Sequence, residues 1–231
     1  MTKIRIGIEL DHVIRNINKQ IVKYYQQDID ESIDLDEVNY KDDVLNTVCK
    51  FQTKKEVIGF LYETYPLEIF GHAPQMDRTL SRDLNLWLKE LTNQEDYDVD
   101  IFFYSLKEYD ITIQSSYFFL SKIGSRVRKV IFPKSINELK DYADILITAN
   151  NDVVDKFKDK TVLIRMDFNN KSECFAGLKY DDFKSFLNDK EKLNKIIKLT
   201  ENKCEERKNP VRSLLTWMYS LILFLQRKIG M

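Results

Sequence analysis

Ile4-Arg5-Ile6-Gly7-Ile8-Glu9-Leu10-Asp11-His12-Val13-Ile14 decides the reading of the fold. An apolar run ends in two carboxylates spaced i, i+2, and a helical pattern follows at once, with Ile14, Ile17, Ile21 and Tyr24 on one face. Apolar residues at that spacing line one side of an α-helix. Open parallel α/β sheets bind ligands at the carboxyl ends of their strands, so this layout sets Glu9 and Asp11 where a ligand would sit. A plainer reading stands beside it: both acids are polar strand-end residues, and Asp11 is placed to cap the helix that follows.

Outward from this stretch, four more short β-type runs appear: Ile101–Tyr104, Val130–Phe132, Ile145–Ile147 and Val162–Ile164. Most are continuously apolar, as parallel strands covered on both faces require. Helical patterns separate them: Phe118, Leu120 and Ile123; Leu139 and Tyr142; Val153, Val154 and Phe157. Strands alternating with helices imply right-handed crossovers and a doubly wound α/β sheet. Residues 26–98 break the rhythm. They open with an acidic stretch, read as a solvated linker, and continue with a helical reading at Val57, Phe60, Leu61 and Tyr65 and then Leu80, Leu84, Leu86, Trp87, Leu88 and Leu91. The expected organisation is a core of residues 1–25 plus 99–200, a helical insertion over 26–98, and an appendage over 201–231.

Composition narrows the function. The net charge is −1, so no global basic field points to nucleic acid. Cys49, Cys174 and Cys204 show no metal-binding spacing, and only His12 and His72 are available as imidazoles, which excludes a histidine-rich metal site. Odd, scattered cysteines and an N-terminus without a secretory pattern predict a reducing, cytoplasmic setting, or a particle assembled there. Abundant Ile, Asn, Lys and Asp fit an AT-rich genome such as that of many phages. Arg126, Arg128 and Lys129 form a local basic patch, read as a solvated face. The aromatic run Tyr117-Phe118-Phe119 is read as core, and His72 as a surface residue.

A charged helix is predicted around Tyr180–Leu199, then a charged break over Glu201–Lys208. Asn209-Pro210 is a strong helix start. Between Arg212 and Arg227 lie 14 uncharged residues, among them Leu214, Leu215, Trp217, Met218, Leu221, Ile222, Phe224 and Leu225. As a helix they reach roughly 21 Å, short of a hydrocarbon core of roughly 30 Å. A membrane span is therefore disfavoured, and an interfacial contact stays open. Apolar surface of this extent marks a docking element for a protein partner or a second copy of the chain.

Three further stretches carry chemistry. Ile101-Phe102-Phe103-Tyr104-Ser105 is a strand ending in a hydroxyl. Phe132-Pro133-Lys134 places a lysine after the next strand, with Lys140 and Lys129 as competitors. Asp144-Ile145-Leu146-Ile147-Thr148-Ala149-Asn150-Asn151 is a strand ending in Thr148 and Ala149. Together with Glu9 and Asp11 this set resembles the motifs of the haloacid dehalogenase-like superfamily. Within it the chain is most similar to the cytosolic 5′(3′)-deoxyribonucleotidase branch, over roughly residues 1–170.

The resemblance implies a three-layer parallel sheet in the order 5-4-1-2-3 with a helical cap at 26–98. It implies Glu9 at the nucleophile position, Asp11 as general acid, and Ser105 and Lys134 as phosphate ligands. It also implies a Mg²⁺ site, which here lacks the expected acids, since Thr148 and Ala149 stand in their place. Mg²⁺ is usually held by one or two carboxylates plus phosphate at about 2.1 Å. Without it a phosphate dianion would face two acids. Glu9 also reaches further than the aspartate of the family, and a misplacement of about 1 Å can cost on the order of 10²-fold. The expectation is a silenced site with no cofactor, in a protein used as a structural or interaction subunit and docked through its tail, with a phage particle as one home. Two alternatives stand. One is a Mg²⁺-dependent nucleotidase in which an acid such as Asp152 supports the metal. The other is a phosphate or nucleotide binder that does not react.

Overall fold

The computed structural model describes residues 2–41, 43–92, 97–106, 110–157, 162–166 and 177–208. The chain forms two compact units, Met1–Lys190 and Glu191–Met231.

The first unit is built on a parallel sheet of six strands: β1 (Thr2–Glu9), β2 (Tyr97–Tyr104), β3 (Val130–Ile131), β4 (Ile145–Thr148), β5 (Val162–Met166) and β6 (Leu178–Tyr180). Their spatial order is β3-β2-β1-β4-β5-β6, and every pairing is parallel. The order 5-4-1-2-3 is present, with β6 added beyond β5. β1 is central because its alternating isoleucines have apolar company on both sides: Ile4, Ile6 and Ile8 are all buried. Gly7 allows this crowding. A Cβ there would lie 2.9 Å from the Phe102 ring and 3.1 Å from Leu146, its register partners on β2 and β4.

Helices α1 (Ile17–Asp28), α5 (Ile111–Lys122), α6 (Leu139–Tyr142) and α7 (Asn151–Phe157) fall between strands. Leu139 of α6 and Val153, Val154 and Phe157 of α7 pack with Phe102, Tyr104, Leu146 and Leu163 of the sheet. Helix α1 starts later than its apolar spacing predicts. Ile14 is buried in the loop before it, and the cap is Asn16, whose Oδ1 accepts from the Lys19 N–H at 3.2 Å. Asp11 is not the cap.

Residues 26–98 contain α2 (Val44–Thr47), α3 (Lys54–Ile58), two π-helical stretches (Gly59–Thr64 and Leu67–Gly71) and α4 (Leu80–Thr92). Phe60, Leu61, Ile69 and Phe70 form a buried cluster with Ile17, Ile21, Val22 and Tyr25 of α1. Gly71 brings the second π stretch against α5, since a Cβ there would meet the Ser115 carbonyl at 3.3 Å. The single charged helix expected around Tyr180–Leu199 is divided into the end of β6, α8 (Phe183–Asn188) and α9 (Lys192–Lys208). Asp182 starts α8 by accepting from the Ser185 N–H at 2.7 Å, and the backbone turns extended at Asp189. In the second unit α9 runs through to Lys208, so the charged stretch Glu201–Lys208 is helix, not a break.

Candidate functional site at the strand ends

Sheet order reverses beside β1: β2 and β3 lie on one side, β4 and β5 on the other. In open α/β sheets that reversal opens a crevice at the carboxyl ends of the strands. Glu9 ends β1 and Thr148 ends β4, so both stand at this switch point.

Glu9 is 4 % exposed and sits in a donor set supplied by β4. Its Oε2 accepts from the Thr148 hydroxyl at 2.6 Å and from the Ala149 N–H at 3.0 Å. Thr148 and Ala149 thus supply hydrogen-bond donors to the end of β1. A buried carboxylate needs such donors, because an unsatisfied buried charge is very costly. Burial, and then the nearby charge of Glu9, push the Tyr104 hydroxyl well above its ordinary pKa.

Asp11 is 3 % exposed and is held from two directions. Arg15 Nε donates to Oδ1 at 2.8 Å, and the Ser105 hydroxyl donates to Oδ2 at 2.8 Å. Arg15 itself is 0 % exposed. Its Nη1 donates to the Phe70 carbonyl at 2.7 Å, and its guanidinium carbon lies 5.4 Å from the Phe70 ring and 5.7 Å from the Phe119 ring. Ring faces at that range stabilise a cation.

The loop that aims these groups is folded tightly. His12 lies at φ 66°, a left-handed conformation rare for a residue with a Cβ. The turn closes through the Arg15 N–H to the Leu10 carbonyl at 2.9 Å and the His12 N–H to the Arg15 carbonyl at 2.9 Å. Residues 74–76 brace it from outside, with the Asn16 N–H donating to the Pro74 carbonyl at 2.8 Å and the Met76 N–H to the Ile14 carbonyl at 2.9 Å.

The structure therefore buries Glu9, Asp11 and Ser105, and joins Asp11 to Ser105 by a hydrogen bond. Lys134 is exposed in the turn after β3, where its backbone N–H donates to Glu138 Oε2 at 3.1 Å. Asp152 is exposed on α7. Among the described residues, no group of three or more His, Cys, Asp or Glu side chains could hold a metal ion. The tail residues Leu214, Leu215, Trp217, Met218, Leu221, Ile222, Phe224 and Leu225 lie outside the described residues. No helix among those described is long and apolar enough to cross a membrane.

Arg15 is the site residue that sequence reasoning misses. The available signal is the i, i+4 spacing of Asp11 and Arg15. It is masked because Arg15 fits the polar face of the helix predicted there. Scanned against protein-family models and against curated proteins, the chain matches none.

Proposed function

We propose that this protein is a catalytically silent relative of the haloacid dehalogenase-like enzymes, working as an interaction subunit that docks through its apolar C-terminal segment. The observation that carries the reading is the occupancy of the two strand-end acids. Both Asp11 oxygens accept from protein donors, and Glu9 Oε2 accepts from two more. A nucleophile or general acid must be free to meet its substrate. Arg15 supplies from within the chain a positive charge of the kind a metal would bring to such an acid. On this reading residues 26–98 correspond to a cap, and the acids serve the fold.

The docking half rests on the 14 uncharged residues between Arg212 and Arg227. The test has two parts. With Mg²⁺ present, p-nitrophenyl phosphate and deoxynucleoside 5′-monophosphates are expected to remain unhydrolysed. Light scattering should show an assembly larger than a monomer, or one formed on adding a partner, that Trp217→Glu with Leu221→Glu disperses. Turnover abolished by Glu9→Gln would establish the nucleotidase reading instead. Thermal stabilisation by nucleotides without turnover would favour the non-reacting binder.

A further inference from the structure

At the opposite end of the sheet from the acids, the first half of β2 has an open edge. β3 pairs with β2 only at Phe103 and Tyr104. The Phe103 N–H donates to the Lys129 carbonyl at 2.9 Å, so the alternation of a strand turns the N–H and C=O groups of Val99 and Ile101 to the same side. Among the described residues these groups have no backbone partner on that side. Continued backward, the register would set Arg128 opposite Ile101 and Arg126 opposite Val99. The chain does not follow it. Asn85 of α4 grips the approaching segment twice, donating from Nδ2 to the Gly124 carbonyl at 3.1 Å and accepting on Oδ1 from the Arg126 N–H at 3.0 Å.

A cavity of about 640 Å³ is lined by Tyr97, Val99 and Ile101 of β2 together with Arg126 and Arg128, the residues that a continued β3 would pair with Val99 and Ile101. A second hollow of about 550 Å³, shared through Lys89 and Arg126, continues it along α4 past Leu86, which is 55 % exposed. Among the described residues, Arg82, Lys89, Arg126, Arg128 and Lys129 line the two, with Asp98 as the acid beside them. Lys129 is engaged by Asp100 at 2.8 Å and Arg82 by Asp83 at 2.9 Å, while the Arg126 and Arg128 side chains are exposed.

An uncovered strand edge templates pairing with another chain, and flanking charge selects which. We propose that this slot accepts an extended, acidic segment of a partner protein as an added strand beside β2. Main-chain hydrogen bonds to Val99 and Ile101 give it register, and the arginines select its charge. Among the described residues, those lining the slot do not include the strand-end acids.

Fluorescence anisotropy on the full chain tests it, with a fluorescein-labelled peptide alternating valine and aspartate as the probe. Saturable binding is expected, with none for the valine–lysine counterpart. Methylating alternate peptide nitrogens should weaken binding at least about tenfold, as should Arg126→Glu combined with Arg128→Glu at low salt. Val99→Pro removes one edge N–H at a position where an edge strand tolerates proline, and should weaken binding while leaving the circular dichroism spectrum unchanged. Three results would overturn the proposal: no binding up to about 1 mM peptide; equal affinity for the methylated and parent peptides; or displacement by a single-stranded DNA oligonucleotide that binds more tightly than the peptide.

Discussion

Arg15 and Asp11 form a buried ion pair, Nε to Oδ1 at 2.8 Å, across a loop whose sequence reads as the first turn of a helix. Removing one member of a buried pair leaves the other charged and unpartnered, which costs about 3–5 kcal/mol. Arg15→Met is therefore expected to lower the unfolding free energy by that order in urea titrations. Asp11→Asn combined with Arg15→Met should cost less than the sum of the single changes. Additive costs would show that the pair does not act as one unit.

Glu9→Asp installs the residue type of the enzyme motif that this strand resembles and, on the proposed reading, should give no phosphatase activity. Thr148 and Ala149 offer donors to that strand end rather than carboxylates. Shortening the side chain withdraws Oε2 from both, at a cost of about 1–3 kcal/mol for poorly satisfied buried groups. Thermal denaturation alongside a Mg²⁺-dependent hydrolysis assay measures both outcomes, and a gain of turnover would contradict the silent-site reading.

Asp77 links residues 26–98 to α8. It accepts from the Thr79 N–H at 2.8 Å and from Lys184 Nζ at 3.0 Å. The Thr79 backbone, then Lys184 and the Thr79 hydroxyl, lower its pKa from 3.8 to about 2. A carboxyl depressed on folding contributes stability above its unfolded pKa and loses it as pH falls through the folded one. Asp77→Asn should thus be less stable than wild type at neutral pH, and the difference should vanish between about pH 4 and pH 2. Melting temperatures across that range test this, and a gap that persists at pH 2 would contradict it.

Cys49 is 5 % exposed, and burial, followed by the charge of Asp43, pushes its thiol up to about 12. The thiolate is the reactive form. Cys49 should therefore resist alkylation by iodoacetamide at neutral pH and react on unfolding. Peptide mapping by mass spectrometry distinguishes it from Cys174 and Cys204.

The sheet is legible because Ile101–Tyr104, Ile145–Ile147 and Val162–Ile164 are continuous apolar runs, which parallel pairing favours, and β1 alternates Ile4, Ile6 and Ile8. β6 is not, since Leu178-Lys179-Tyr180 offers only three residues at an edge. Glu9, Asp11 and Ser105 are legible as residues at strand ends, and the structure buries all three. Arg15 is hidden because Ile14, Ile17 and Ile21 keep helical spacing through a stretch whose first part is a loop closed by His12 at positive φ. Periodicity records which residues are buried, and a tight loop buries Ile14 as well as a helix would. The basic stretch Arg126–Lys129 looks like an ordinary solvated face. Its separation from β2 follows from Asn85, which lies 39 residues from one of its partners and 41 from the other.

The hydrogen bond from Arg15 to the Phe70 carbonyl fastens the long helical excursion between β1 and β2 to the tight loop that follows β1. A lid that swings open to admit a substrate is hinged away from the chemistry it covers. Here a latch sits at the centre, and lifting the excursion would strip a fully enclosed cation of one of its acceptors, leaving it with Asp11. Segments joined in this way rise and fall together, so this region should open only when the whole unit unfolds.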